Sequence, residues 1–209
     1  MSWTTIVRAS TLGYRVAGFA RANHVKTYIA LFRGINVGGN HMLPMKDLKL
    51  LLEKSGCVDV QTYIQSGNVI LRSATADTAR FAKQVAAAVG KSHGFEPRVL
   101  MLTRNDLERA AKDNPFPEAG DNPKNLHLFF LAEAPKKPDL TSLDALKITS
   151  ERFALKGRVF YLHTPDGFGT SKLAGRVERH LGVEATARNW RTVTTLLEMA
   201  SVSERVPGK

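Results

Sequence analysis

The chain has 209 residues, 43% of them hydrophobic and 23% charged, with a formal charge of +11, six histidines and one cysteine. That length accommodates one large or two small domains. No apolar run reaches the roughly 18 residues a membrane span needs, and the histidines His24, His41, His93, His127, His163 and His180 lack metal-ligand spacing.

The charge is uneven. Residues 1–26 carry Arg8, Arg15, Arg21 and Lys26 and no acid, residues 27–103 hold nine bases and five acids, and residues 104–209 hold seventeen and fourteen. A basic surface attracts phosphate-bearing partners, though it also serves plain solubility. Residues 1–25 read as a non-core extension, in the style of a transit peptide or a flexible tail. Cys57 has no intrachain partner for a disulfide, which fits a cytoplasmic protein, and its expected role is a small buried hydrophobe.

From Lys26 the punctuation is regular. Lys26 to Phe32 is a nearly continuous apolar strand. The loop Arg33-Gly34-Ile35-Asn36-Val37-Gly38-Gly39-Asn40 follows, and Pro44 suits the first turn of a helix carrying Met45, Leu48, Leu51 and Leu52, closed by Gly56. Val58 to Ile64 and Asn68 to Leu71 are strands joined by a hairpin at Ser66-Gly67. An alanine-rich amphipathic helix over about 76–90 and a strand from Arg98 to Leu102 complete the order β-α-β-β-α-β.

The same order returns in the second half. Thr103, with Asp106 three residues on, caps a connecting helix that Asn114-Pro115-Phe116-Pro117 ends. Leu126 to Leu131 is a strand, Pro138 to Leu146 a helix, and Ile148 to Leu155 with Val159 to His163 a hairpin around Lys156-Gly157. Ser171 to Leu181 reads as a helix stopped by Gly182, Glu184 to Ala187 as a strand, and Asn189 as the cap of a last helix reaching about Met199. The fold class is therefore α+β: two tandem ferredoxin-like units with antiparallel sheets, at 26–103 and 104–209, plus a C-terminal helix.

Three segments carry candidate chemistry. The first loop offers Gly34, Gly38 and Gly39 for positive φ and exposed amides, Arg33 as a forked donor, and Asn36 and Asn40 as neutral donors and acceptors. The first hairpin adds Gln65, Ser66 and Asn68, a combination equally at home in an ordinary turn. In the second half, Gly167 to Lys172 and Arg188 to Arg191 place Lys172, Arg188 and Arg191 near expected helix starts, where a cation opposes the macrodipole unless an anion binds. Pairing of these arginines with Glu178, Glu184 or Glu198 would equally account for them.

Neither G-x-G-x-x-G nor G-x-x-x-x-G-K-[ST] occurs at these places, so no dinucleotide or metal signature is present and the cofactor is unknown. The expected partner is a phosphate-bearing small molecule or a nucleic acid, with no membrane. One alternative is a small-molecule enzyme acting on a carboxylate or amide metabolite, with His41 or Ser66 moving a proton. Another is a protein-interaction or oligomerising module.

The segments Arg33 to Asn40 with Pro44-Met45, Thr62 to Asn68, Asn114-Pro115-Phe116, Gly169 to Leu173 and Thr186 to Thr192 resemble, in this order, those of the mainly bacterial domain of unknown function 1697 family. The resemblance spans about residues 26–200. It implies a two-part α+β fold with ferredoxin-like halves and carries no established activity, cofactor or catalytic residue. The extension over 1–25 departs from it.

Overall fold

A strand whose side chains are apolar on both faces belongs in the middle of a covered sheet. In the computed structural model, which describes residues 25–205, Tyr28 to Phe32 are each at most 3% exposed. They form β1 (Lys26–Arg33), an inner strand of a sheet ordered β2 (Val58–Tyr63), β3 (Asn68–Ser73), β1, β4 (Arg98–Thr103), with every neighbouring pair antiparallel. β1 alternates: Tyr28, Ala30 and Phe32 face one core, Ile29 and Leu31 the other.

The first core is closed by α1 (Met45–Lys54) and α2 (Thr78–His93). Leu48 and Leu52, four residues apart on α1, are fully buried, and each such burial contributes about 2 kcal/mol. Asp77 caps α2 by accepting the Arg80 N–H at 2.9 Å.

The second half repeats the topology. β5 (Leu126–Leu131), α4 (Leu140–Leu146), β6 (Arg152–Lys156), β7 (Val159–His163), α5 (Val177–Leu181) and β8 (Ala185–Asn189) give the order β6-β7-β5-β8, again antiparallel throughout. Phe129, Leu131, Phe160 and Leu162 pack against Leu143 of α4 and Val177 and Leu181 of α5. The expected pair of ferredoxin-like units is present.

Each sheet carries its helices on one face, and the opposite faces are joined to each other. α3 (Arg104–Lys112), capped by the Thr103–Asp106 box, and α6 (Trp190–Arg205) contribute Leu107, Ala110, Val193, Leu196 and Ala200 to a cluster with Ile29, Leu31 and Ile70 of the first sheet and Leu126, Leu128 and Phe130 of the second. The buried Tyr161 hydroxyl donates to the Ala110 carbonyl at 2.8 Å across this layer. Trp190 anchors α6 here, and Tyr63 packs against the same cluster.

Several boundaries differ from the sequence expectations. Residues 148–151 are a turn and not strand, because the Glu151 carboxylate accepts the Ile148 N–H at 3.2 Å while the Glu151 N–H donates to the Ile148 carbonyl at 3.0 Å. Residues 171–181 are not one helix: a turn, a 3-10 segment (Ala174–Arg176) and the five-residue α5 succeed one another. Ser171 Oγ accepts the Ala174 N–H at 3.1 Å, which starts the chain turning only there. β8 runs through Arg188 to Asn189, and α2 and α6 are longer than expected, ending at His93 and Arg205. Cys57 is buried as expected, and burial pushes its thiol up to about 11. The transit-peptide or tail reading of residues 1–25 falls, but for Val25, outside the described residues.

Candidate functional site

The chain leaves β1 into a small protruding hairpin. Val37 and Asn40 form an antiparallel bridge, and the Asn40 N–H donates to the Val37 carbonyl at 3.0 Å. Gly38 (φ 57°) and Gly39 (φ 77°) occupy the two central positions, the type I′ geometry that demands positive φ twice. Asn36 (φ 53°) closes the base. Its Nδ2 donates to the Leu43 carbonyl at 2.9 Å and the Gln65 carbonyl at 2.8 Å, and its Oδ1 accepts the Leu43 N–H at 2.8 Å. One carboxamide thus fixes the loop to itself and to the β2–β3 turn.

That turn, residues 64–67, is tightly held. The Phe32 N–H donates to the Gly67 carbonyl at 2.8 Å. Gly67 has φ 71°, and a Cβ there would stand 2.5 Å from Phe32 Cβ and 2.7 Å from Ile35 Cδ1. Ile64 has φ 49°, a sterically costly region for a β-branched residue. Asn68 is fully buried; its Nδ2 donates to Ser66 Oγ at 2.9 Å and to the Tyr63 carbonyl at 3.3 Å.

The second half reaches in through Arg188 on β8. Its Nε donates to Asn68 Oδ1, its Nη2 to the Phe32 carbonyl at 2.7 Å and the Ser66 carbonyl at 3.2 Å, and its Nη1 to the Ala187 carbonyl at 2.8 Å. Burial pushes this guanidinium down to about 10. Arg33 mirrors it from the first half, donating to Glu178 and, at 2.8 Å, to the Ala185 carbonyl. Arg98 lies 3.6 Å from Glu178 and 3.5 Å from Glu184. Burial would raise the Glu178 pKa, but bonds from Arg33 and the Ala185 N–H, with the charges of Arg33 and Arg98, outweigh it and hold the carboxylate below its ordinary value.

The structure therefore brings Arg33, Gly34, Asn36, Gly38, Gly39, Asn40, Gln65, Ser66, Asn68 and Arg188 into one region. It also alters how several of them can act. Arg188 is a strand residue whose donors are spent on the opposite half and on the Ala187 carbonyl of its own strand, and neither Glu178 nor Glu184 is its partner. Arg33 and Asn68 likewise serve the seam between halves, while Asn36 is spent on its own loop and the β2–β3 turn. Lys172 lies in a turn ahead of a 3-10 segment, so the macrodipole argument made for it does not hold; it lines a separate recess. Arg191 is in the first turn of α6, three residues and at most about 10 Å of chain from Arg188, with an exposed side chain.

His41 (φ 51°) stacks on Phe95 with ring centroids 4.6 Å apart, and its Nδ1 donates to the Gly34 carbonyl at 2.9 Å. Ser66 Oγ accepts from Asn68, and no His, Asp or Glu side chain is bonded to it among the described residues. Sequence reasoning missed Glu178 as the carboxylate that joins Arg33 to the second half, since nothing local to residue 178 signals it. It also missed exposed Val37, Met42 and Ile64, which are 66%, 60% and 52% accessible. Among the described residues no group of three or more His, Cys, Asp or Glu side chains could hold a metal ion, and no helix is long and apolar enough to cross a membrane.

The profile of a family described as "Protein of unknown function (DUF1697)" matches residues 25–161, which includes both loops of this region. The chain belongs to this family. No curated protein matches the sequence. Among solved structures, the conserved bacterial protein SP0830 from Streptococcus pneumoniae is similar, with a TM-score of 0.62 and 20% identity over 84% of this chain and 99% of that one. That likeness is one of fold. The paired ferredoxin-like halves are thus shared with that protein at low identity, and the seam residues above are described for this chain alone.

Proposed function

We propose that this member of the family is a binding protein for a phosphate-bearing ligand, a nucleotide or a nucleic-acid segment, recognised on the surface of the two tied loops. The observation that supports this is an imbalance of donors over acceptors. Residues 33–46, 60–76 and 185–197 contain no Asp or Glu. The internal bonds already described occupy Arg33, Asn36, Asn68 and Arg188. Left facing outward are the Gly38 and Gly39 N–H groups, which find no backbone acceptor among the described residues, the exposed Gln65 carboxamide, and the exposed Asn40 carboxamide, whose Nδ2 also donates to the Gly38 carbonyl at 3.4 Å. The Arg191 guanidinium joins them; neither it nor the Gln65 side chain has a partner among the described residues. A surface with unspent donors, whose Glu178 carboxylate is taken up by Arg33, favours an anion.

The test is a thermal-shift and fluorescence-anisotropy series with nucleotides and short single-stranded oligonucleotides at two salt concentrations. A nucleic-acid ligand binds with steep salt dependence, a nucleotide with little, and Gln65→Ala or Arg191→Glu weakens either at least tenfold. No response to any phosphate-bearing probe at low salt defeats the reading.

A second reading rests on the exposed Val37, Met42 and Ile64, which suit an apolar docking contact. It predicts a mass that rises with concentration in sedimentation and returns to the monomer value in Val37→Asp.

A further inference from the structure

The recess that holds Lys172 has a chemistry of its own. It encloses about 390 Å³ beside the 145–151 turn and the 164–172 loop, within the range of small-metabolite sites. Its lining includes Lys147, Glu151, Asp166, Thr170, Ser171 and Lys172.

Glu151 is the decisive residue. Its side chain belongs to a residue only 2% exposed, yet no cation pairs with it among the described residues. One oxygen accepts the Ile148 N–H at 3.2 Å, the carboxylate makes no other hydrogen bond among the described residues, and the residue lines the recess. A carboxylate that lines a recess without a cationic partner suits a ligand that brings a cation. The nearby Lys147 does not supply it, because its ammonium is bonded to Asp144. Asp166 accepts the Ser150 hydroxyl at 2.6 Å and adds negative potential to the same wall.

The mouth has the opposite character. Lys172 is exposed and has no partner among the described residues. Ser171 Oγ accepts the Ala174 N–H, so its own proton is free to donate. Thr170 spends its hydroxyl proton on the Gly167 carbonyl at 3.0 Å and can still accept.

We infer that this recess binds a free α-amino acid, its ammonium on Glu151 and its carboxylate on Lys172 and the Ser171 hydroxyl. The arrangement selects a zwitterion. An amine alone leaves Lys172 unmatched, and a carboxylic acid alone faces the buried Glu151. This site is separate from the loop surface proposed above, so phosphate probes and amino acids report on the two independently.

Isothermal titration calorimetry of the full chain with a panel of the common L-amino acids tests it, alongside the matching decarboxylated amines, deaminated acids, N-acetyl derivatives and amides. At least one free amino acid is expected to bind, and each truncated or blocked form at least tenfold more weakly. Glu151→Gln is expected to lose at least tenfold in affinity and Lys172→Ala to lose several-fold. Lys172 is exposed, so its variant folds even if Glu151→Gln does not. The inference is overturned if no amino acid binds, if amine or acid alone binds as well as the zwitterion, or if Lys172→Ala leaves the affinity unchanged.

Discussion

The two halves share one topology and treat the same connections differently. Between β1 and α1, residues 34–44 have positive φ at Gly34, Asn36, Gly38, Gly39 and His41. Between β5 and α4, residues 132–139 have none, contain Pro135 and Pro138, and include no glycine. The β2–β3 turn takes four residues with Ile64 in the left-handed region, whereas the β6–β7 turn takes only Gly157 and Arg158. The second half shows what the fold needs to close its strands. The first half carries much more, and left-handed non-glycine residues persist only where their surroundings over-determine them. Here those surroundings are the Asn36 and Arg188 bond sets. The first half therefore invests more local hydrogen bonding in the same two connections than the second half does.

The largest expected effect lies at the two hairpin glycines. Gly67→Ala combines a left-handed alanine with a Cβ 2.5 Å from Phe32 Cβ, and should destabilise by about 3–5 kcal/mol. Gly157→Ala, at φ 58° with nothing within 4 Å, should cost about 1 kcal/mol. Urea unfolding of both variants compares them directly, and equal losses would remove the distinction between the halves. Next comes the clamp. Arg188→Met leaves the Phe32 and Ser66 carbonyls and the buried Asn68 amide short of a donor, for a loss of about 2–3 kcal/mol. Arg188→Lys should recover little of it, because an ammonium cannot fork across these acceptors. Hydrogen exchange at residues 66–68 should accelerate in both variants. The smallest contrast is between the loops themselves. Asn36→Ala forfeits three hydrogen bonds and should cost about 2 kcal/mol, while Lys136→Ala, exposed in the corresponding connection, should stay within about 0.5 kcal/mol.

Local chemistry made much of this legible in the sequence. The Leu126 to Leu131 and Val159 to His163 strands and the Thr103 cap stand where periodicity and capping place them, because those signals act within a few residues. Residues 148–151 and 171–181 depart from the sequence expectation where a side chain bonds its own backbone and diverts the chain, as Glu151 and Ser171 do.

By itself the sequence determined two βαββαβ units and located the polar loops, since hydrophobic period and turn residues are properties of neighbours along the chain. Only the tertiary structure decided which polar groups are already satisfied. Arg188 meets Asn68 across 120 residues and Arg33 meets Glu178 across 145, distances over which no local pattern carries information. Whether a donor is spent inside the protein or left for a ligand depends on what folding brings beside it, because buried polar groups must find partners wherever in the chain those partners lie.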